Sequence, residues 1–143
     1  MKKAAVWAVT GASGLLGQGM LRALCAAKNP VTAFRHGHPL LFRGAGVEEV
    51  VCDLADHRDF TRALDAAAPD ILLHTAGLTS VDGCEADPDR ARLLNTDIPV
   101  RLARTCREKG IRYIFISTDH LTDGTQALFT ESAVLHPLNV YAR

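Results

Sequence analysis

A chain of 143 residues and 15.4 kDa has room for one domain that buries roughly two thirds of its unfolded surface. With 48% hydrophobic and 22% charged residues it is neither a disordered nor a fibrous sequence, and no apolar run approaches the roughly 18 residues of a membrane span. The net charge of zero hides an asymmetry: residues 1–47 hold Lys2, Lys3, Arg22, Lys28, Arg35 and Arg43 and no acid, so all 16 acids fall in residues 48–143.

A basic lobe of this kind attracts an anionic ligand. No basic run is interleaved with aromatics, so nucleic acid is not an expected partner, and neither is a membrane. Met1-Lys2-Lys3 followed by Ala4 to Val9 looks superficially like a secretory leader, but the apolar stretch is short and runs straight into Thr10-Gly11. It reads as a first strand of a cytoplasmic protein. Cys25, Cys52, Cys84 and Cys106 lie more than twenty residues apart with no C-x-x-C pair, which fits buried free thiols and no metal site.

The elements alternate strand and helix. Ala4–Val9 predicts strand one, and apolar residues at helical spacing predict a helix over Ser13–Lys28, stopped by Asn29-Pro30. Val31–Phe34 and Val47–Cys52 predict strands two and three, with a Gly, Pro and His-rich loop between them. Asp56 is placed to cap a helix running to Ala68, ahead of strand four at Ile71–His74. A loop follows. Asp87-Pro88-Asp89 then predicts a helix start with proline at the first position, and that helix runs to Lys109, bends at Pro99 and ends at Gly110. Strand five is Tyr113–Ile116, and residues 117–143 show no regular element before their last residues. Repeated β-α units predict a Rossmann-type, doubly wound parallel α/β sheet with strand order 3-2-1-4-5, read as one domain over 1–143. The edge after strand five stays open, a hazard that a homodimer or a partner chain would cover.

Gly11-Ala12-Ser13-Gly14-Leu15-Leu16-Gly17 joins strand one to the first helix. Glycines there admit a diphosphate close to backbone, and a helix start offers it unpaired N–H groups; the alternative is a tight turn with close packing. An acid after strand two would bond the ribose 2′-OH of NAD, whereas an arginine holds the 2′-phosphate of NADP. The chain has Phe34-Arg35-His36-Gly37-His38 with no acid nearby, so Arg35 favours NADP(H) over NAD(H); otherwise it is a solvated surface arginine. His36 and His38 read as loop. Asp53 and Leu54, after strand three, are candidates for the adenine amine and ring, with a turn-capping aspartate as the alternative. Ala76 and Gly77, in His74-Thr75-Ala76-Gly77, are small enough to let a cofactor approach strand four.

The spacing G-x-x-G-x-x-G after a threonine resembles the extended short-chain dehydrogenase/reductases. Leu78-Thr79-Ser80-Val81-Asp82-Gly83-Cys84-Glu85 is similar to the A-x-T-x-V-D-x-x-E segment of dTDP-4-dehydrorhamnose reductases. Ser117-Thr118-Asp119, Asp123-Gly124-Thr125, Glu131 and Pro137-Leu138-Asn139-x-Tyr141 resemble the family's S-T-D-Y-V-F-D-G…E…P-L-N-x-Y-x-x-x-K stretch. The resemblance covers essentially the whole chain, which corresponds to the N-terminal half of such proteins. It implies an NADP(H)-dependent reduction of a 4-keto sugar nucleotide, with Tyr141 as proton donor and Thr118 as a hydrogen-bond donor to the carbonyl beside the nicotinamide.

Two departures stand out. His120-Leu121-Thr122 replaces Y-V-F. The family lysine that assists the tyrosine would be residue 145, beyond Arg143, and the substrate lobe would follow it. The expectation is a truncated reductase, inactive alone, that meets a sugar nucleotide only if that lobe is supplied. The alternative is a non-catalytic NADP-binding module like the regulatory subunit of methionine adenosyltransferase, for which Phe34-Arg35-x-x-x-Pro39 and His120-Leu121-Thr122 are also suited.

Overall fold

The computed structural model describes residues 4–125 and 127–143; Met1-Lys2-Lys3, the leader-like start, lies outside the described residues. The chain divides into two units, one comprising the stretch up to Ala76 with Ile98–Ile116, the other Gly77–Asp97 with Ser117–Arg143.

The first unit is a Rossmann-like α/β layer structure. Its strands are β1 (Trp7–Thr10), β2 (Val31–Arg35), β3 (Val47–Val51), β4 (Ile71–His74) and β5 (Arg112–Phe115), all parallel and ordered β3-β2-β1-β4-β5. Its helices are α1 (Leu15–Ala26), α2 (His57–Ala67) and α5 (Ile98–Lys109). Parallel strands need cover on both faces, and alternation along each strand supplies two apolar surfaces. On one, Val9, Val31, Ala33 and Leu73 pack with Leu21 and Leu24 of α1. On the other, Phe34 meets Phe60 of α2 with ring centroids 5.2 Å apart. Order reversal between β1 and β4 makes their carboxyl ends the switch point where such sheets bind ligands.

Local chemistry explains the boundaries. Asp56 Oδ1 accepts from Arg58 N at 3.1 Å and Asp59 N at 3.0 Å, so α2 starts where its cap is. Asp56→Ala is expected to cost about 1 kcal/mol in urea denaturation. Gly110, at φ +70°, closes α5 in the left-handed region that glycine enters freely. Helix α1 ends at Ala26, before Lys28 at φ +56° rather than on it. Burial pushes the Cys52 and Cys106 thiols up to about 11, as expected of inert core cysteines.

The second unit corrects two expectations. The loop expected after strand four contains a helix, α3 (Val81–Ala86), capped by Ser80 Oγ accepting from Gly83 N at 3.1 Å. Gly83 in its interior is a poor helix former and hides the signal. The single helix expected over 88–109 is divided: α4 (Pro88–Arg92), then a wide π turn at Leu93–Asp97, before α5. Proline at 99 cannot donate to the carbonyl four residues back and its ring crowds that carbonyl, and a widened turn relieves both. The remainder carries two 3-10 turns, Asp119–Leu121 and Val140–Ala142. Among the described residues no helix is long and apolar enough to cross a membrane, and no group of three or more His, Cys, Asp or Glu could hold a metal.

Candidate functional site

The turn after β1 is shaped by what cannot fit in it. Gly11 sits at φ +67°, and a Cβ there would lie 2.5 Å from Ala76 N. A Cβ on Gly17 would lie 2.3 Å from Gly11 O, and one on Gly14 3.2 Å from the same oxygen. Gly11 and Gly17 thus answer to close backbone packing, which was the alternative reading of the glycines. The same packing opens the helix start. Gly14 is the N-cap and no side chain caps it, the first turn has no acid, and Gln18 is the first helical residue whose N–H reaches a backbone carbonyl, that of Gly14 at 2.9 Å. Leu15, Leu16 and Gly17 therefore present the free N–H groups of a helix start, with Ser13 half-buried in the turn beside them. Leu15 is 97% exposed and Leu16 45%, unusual for leucines at the mouth of a buried turn. This is an uncapped, positively polarised helix end with apolar side chains beside it, which fits a diphosphate flanked by flat rings.

Arg35 ends β2, half-buried, and it is not solvated alone. Its Nε donates to Glu49 Oε1 on β3, and its Nη1 donates to the His36 carbonyl at 2.9 Å. Arg43 Nη2 lies 3.2 Å from the other Glu49 oxygen. The arginines hold the Glu49 carboxyl below the usual range, the Arg35 hydrogen bond contributing most. The absence of an acid around Arg35 is thus a property of the local sequence that strand pairing reverses in space. Asp53 Oδ1 accepts from Ala55 N at 2.9 Å and so caps its own turn. Leu54 is half-buried, and its carbonyl accepts from Arg101 Nη2 at 2.7 Å.

At the end of β4, His74 is 1% exposed. Its Nδ1 shares a 2.6 Å hydrogen bond with Thr10 Oγ1, while its Nε2 is buried without a partner among the described residues. Thr75 Oγ1 donates to the Thr10 carbonyl at 2.7 Å. These bonds tie β4 to β1 and bring Ala76 against Gly11.

In the second unit, Gly77 is exposed, and a Cβ on it would lie 3.0 Å from Asn95 Oδ1. Asn95, in the π turn, accepts from Leu78 N at 2.8 Å and donates to Leu78 O at 2.9 Å. It fixes the segment after β4, and nothing in the local sequence marks it; a polar residue in a widened helical turn is the signal to seek. Thr118 Oγ1 accepts from His120 N at 3.2 Å and lies 3.4 Å from Asp119 Oδ1. Its proton is therefore only weakly engaged. Tyr141 is half-buried in the last turn, with the His120 ring edge-on at 5.5 Å. Asn139 Nδ2 lies 3.3 Å from His120 Nδ1, and Glu85 Oε1 accepts from Val140 N at 2.8 Å. The turns carrying Thr118 and Tyr141 therefore pack together through His120, and Glu85 of α3 anchors the second of them.

The family model described as the RmlD substrate binding domain matches residues 7–143. The chain belongs to this family. It is thereby placed among the dTDP-4-dehydrorhamnose reductase-like, extended short-chain dehydrogenase/reductases. It is 33% identical over 138 residues to a dTDP-4-keto-6-deoxy-D-glucose reductase of Streptomyces niveus, an alignment covering 96% of the chain and 43% of the relative. It is 29% identical over 135 residues to methionine adenosyltransferase 2 subunit beta of Rattus norvegicus, covering 94% and 39%. The structure of MoeE5 in complex with UDP-glucuronic acid and NAD superposes with a TM-score of 0.84 at 23% identity, covering 95% of the chain and 44% of MoeE5, a likeness of fold. The chain thus spans less than half the length of these RmlD-family and fold relatives.

Proposed function

We propose that this RmlD-family chain supplies the dinucleotide-binding part of an NADP(H)-dependent reductase acting on a 4-keto sugar nucleotide, in the cytoplasm. The observation that carries the reading is the uncapped start of α1, open to solvent at the β1–β4 switch point and flanked by exposed Leu15 and Leu16. The N–H groups of Leu15 to Gly17 would hold the diphosphate, with Gly11, Ser13 and Gly14 shaping the turn. Arg35 would take the 2′-phosphate, Asp53 and Leu54 the adenine, and Ala76 and Gly77 would leave room for the cofactor.

A nicotinamide dinucleotide supplies hydride when bound. The protein's task is then to stabilise oxyanion charge and deliver a proton. Thr118, whose hydroxyl accepts from His120 N and donates to Asp119 Oδ1 at a long 3.4 Å, would turn that proton to a carbonyl oxygen, and Tyr141 is assigned the proton transfer. The relative from Streptomyces niveus, named as a reductase of a dTDP-4-keto sugar, supports this substrate class. A second reading, a non-catalytic NADP-binding regulatory module, is favoured by one observation: the Thr118 hydroxyl serves as a turn cap beside a His120 that departs from the family pattern.

Arg35→Ala is expected to weaken NADP binding by roughly 1.5–3 kcal/mol for each charge-assisted bond lost, and to leave NAD nearly unchanged in calorimetric titrations. An equal effect on both cofactors would remove Arg35 from the 2′-phosphate role.

A further inference from the structure

The carboxylate across the strand from Arg35 bears on cofactor choice, an inference that rests on the reading of Arg35 as the 2′-phosphate residue. Pairing of β2 with β3 sets Ala33 opposite Glu49 and Arg35 opposite Val51. Residues two apart on a strand share a face, so Arg35 and Glu49 are diagonal neighbours. Glu49 receives Arg35 Nε on one oxygen and Arg43 Nη2, at 3.2 Å, on the other. Arg35 Nη1 is taken by the His36 carbonyl. Among the described residues, Arg35 Nη2 has no protein acceptor, so its N–H groups are available to a ligand. The side chains of Arg35 and Glu49 are 19% and 22% exposed, so their charges are only partly screened, whereas Arg43 at 68% reaches into solvent. Within this cluster, two cations and one anion leave a single positive charge.

We propose that Glu49 is a specificity-determining residue for the dinucleotide, its carboxylate offsetting the Arg35–Arg43 pair and narrowing the preference for a 2′-phosphate over a 2′-hydroxyl. A phosphate monoester carries negative charge that this carboxylate repels, and a hydroxyl carries none. The effect of Glu49 therefore falls on NADP alone. Glutamine at this position keeps an oxygen that accepts from Arg35 Nε, removes the charge and releases Arg43, which loses its acceptor.

The test titrates NADP and NAD separately into wild type, Glu49→Gln, Arg43→Gln and Arg35→Ala, at low and high salt. Glu49→Gln should tighten NADP roughly three- to tenfold at low salt and less at high salt. Arg43→Gln should weaken NADP by a similar factor, and NAD should stay flat in both. If Glu49→Gln weakens NADP or leaves it unchanged while Arg35→Ala still lowers NADP selectively, Glu49 does not set specificity and the Arg35 reading survives. If Arg35→Ala moves both cofactors equally, or wild type binds neither, the Arg35 reading falls and this proposal with it. Should circular dichroism show Glu49→Gln unfolded, the exposed Arg43→Gln decides, and an unmoved NADP-to-NAD ratio there overturns the proposal.

Discussion

Gly17→Ala is expected to destabilise the fold by about 3 kcal/mol and to abolish dinucleotide binding. The added Cβ would stand 2.3 Å from Gly11 O and 2.8 Å from Ala12 Cα, and both are backbone atoms of the turn itself. No flexible side chain can swing away, so the turn or the start of α1 must shift, the kind of overpacking that costs one to several kcal/mol. The same shift moves the N–H groups of Leu15 and Leu16 that are assigned to the diphosphate. Gly19→Ala is the control. It lies in the same helix, is exposed and meets nothing within 4 Å, so it should stabilise by about 0.5–1 kcal/mol and leave binding intact. Equal effects from the two substitutions would show that helix propensity, not the close approach at Gly17, governs this segment.

Stability is expected to fall steeply between about pH 6.5 and pH 4, with His74 a main cause. Burial holds this imidazole down to about 4. It stacks on Tyr113 and Phe115, with centroids 6.2 Å and 5.9 Å away, and among the described residues its one hydrogen-bond partner is a neutral hydroxyl, so no carboxylate is bonded to it to offset the burial of an imidazolium. The unfolded chain protonates its histidine near pH ~6.5 while the native state still excludes the proton. Stability from His74 is therefore fully present above that pH and is lost as pH falls through the folded value, on the order of 3 kcal/mol in all. Urea denaturation across this range should show the slope in wild type and a flatter one in His74→Asn. The Asp123 carboxyl, held down to about 2 chiefly by hydrogen bonds from the backbone and side chain of Thr125, loses its contribution from about pH 5 downward, so it overlaps only the acid edge of this window and cancels in the comparison with the variant. An unchanged slope in the variant would assign the acid sensitivity elsewhere.

The sheet order was legible because each strand is a short apolar run bounded by turn residues, and because β-α repeats admit few connections. The caps at Asp56 and Asp87 were legible for the same local reason: a side-chain oxygen placed two or three residues before free N–H groups. What escaped is non-local or locally disguised. Glu49 lies fourteen residues from Arg35 and becomes its partner only through strand register. Asn95 grips Leu78 from a widened turn that no propensity signals. Helix α3 carries a glycine in its interior, and a capping serine alone did not reveal it. At the candidate site, the glycine pattern and the Thr118 and Tyr141 motifs could be read from residues. That His120 joins the Thr118 and Tyr141 turns, and that Glu85 anchors the second, required coordinates.

The most direct measurement is a titration of NADP into isotope-labelled chain, read at individual backbone amides. Binding at the start of α1 predicts saturable shifts at Gly14 to Gly17 and at Arg35, with the amides of α2 unmoved. Amides of Gly14 to Gly17 that stay in place up to about 1 mM NADP, a concentration ample for even a weak nucleotide site, would contradict it.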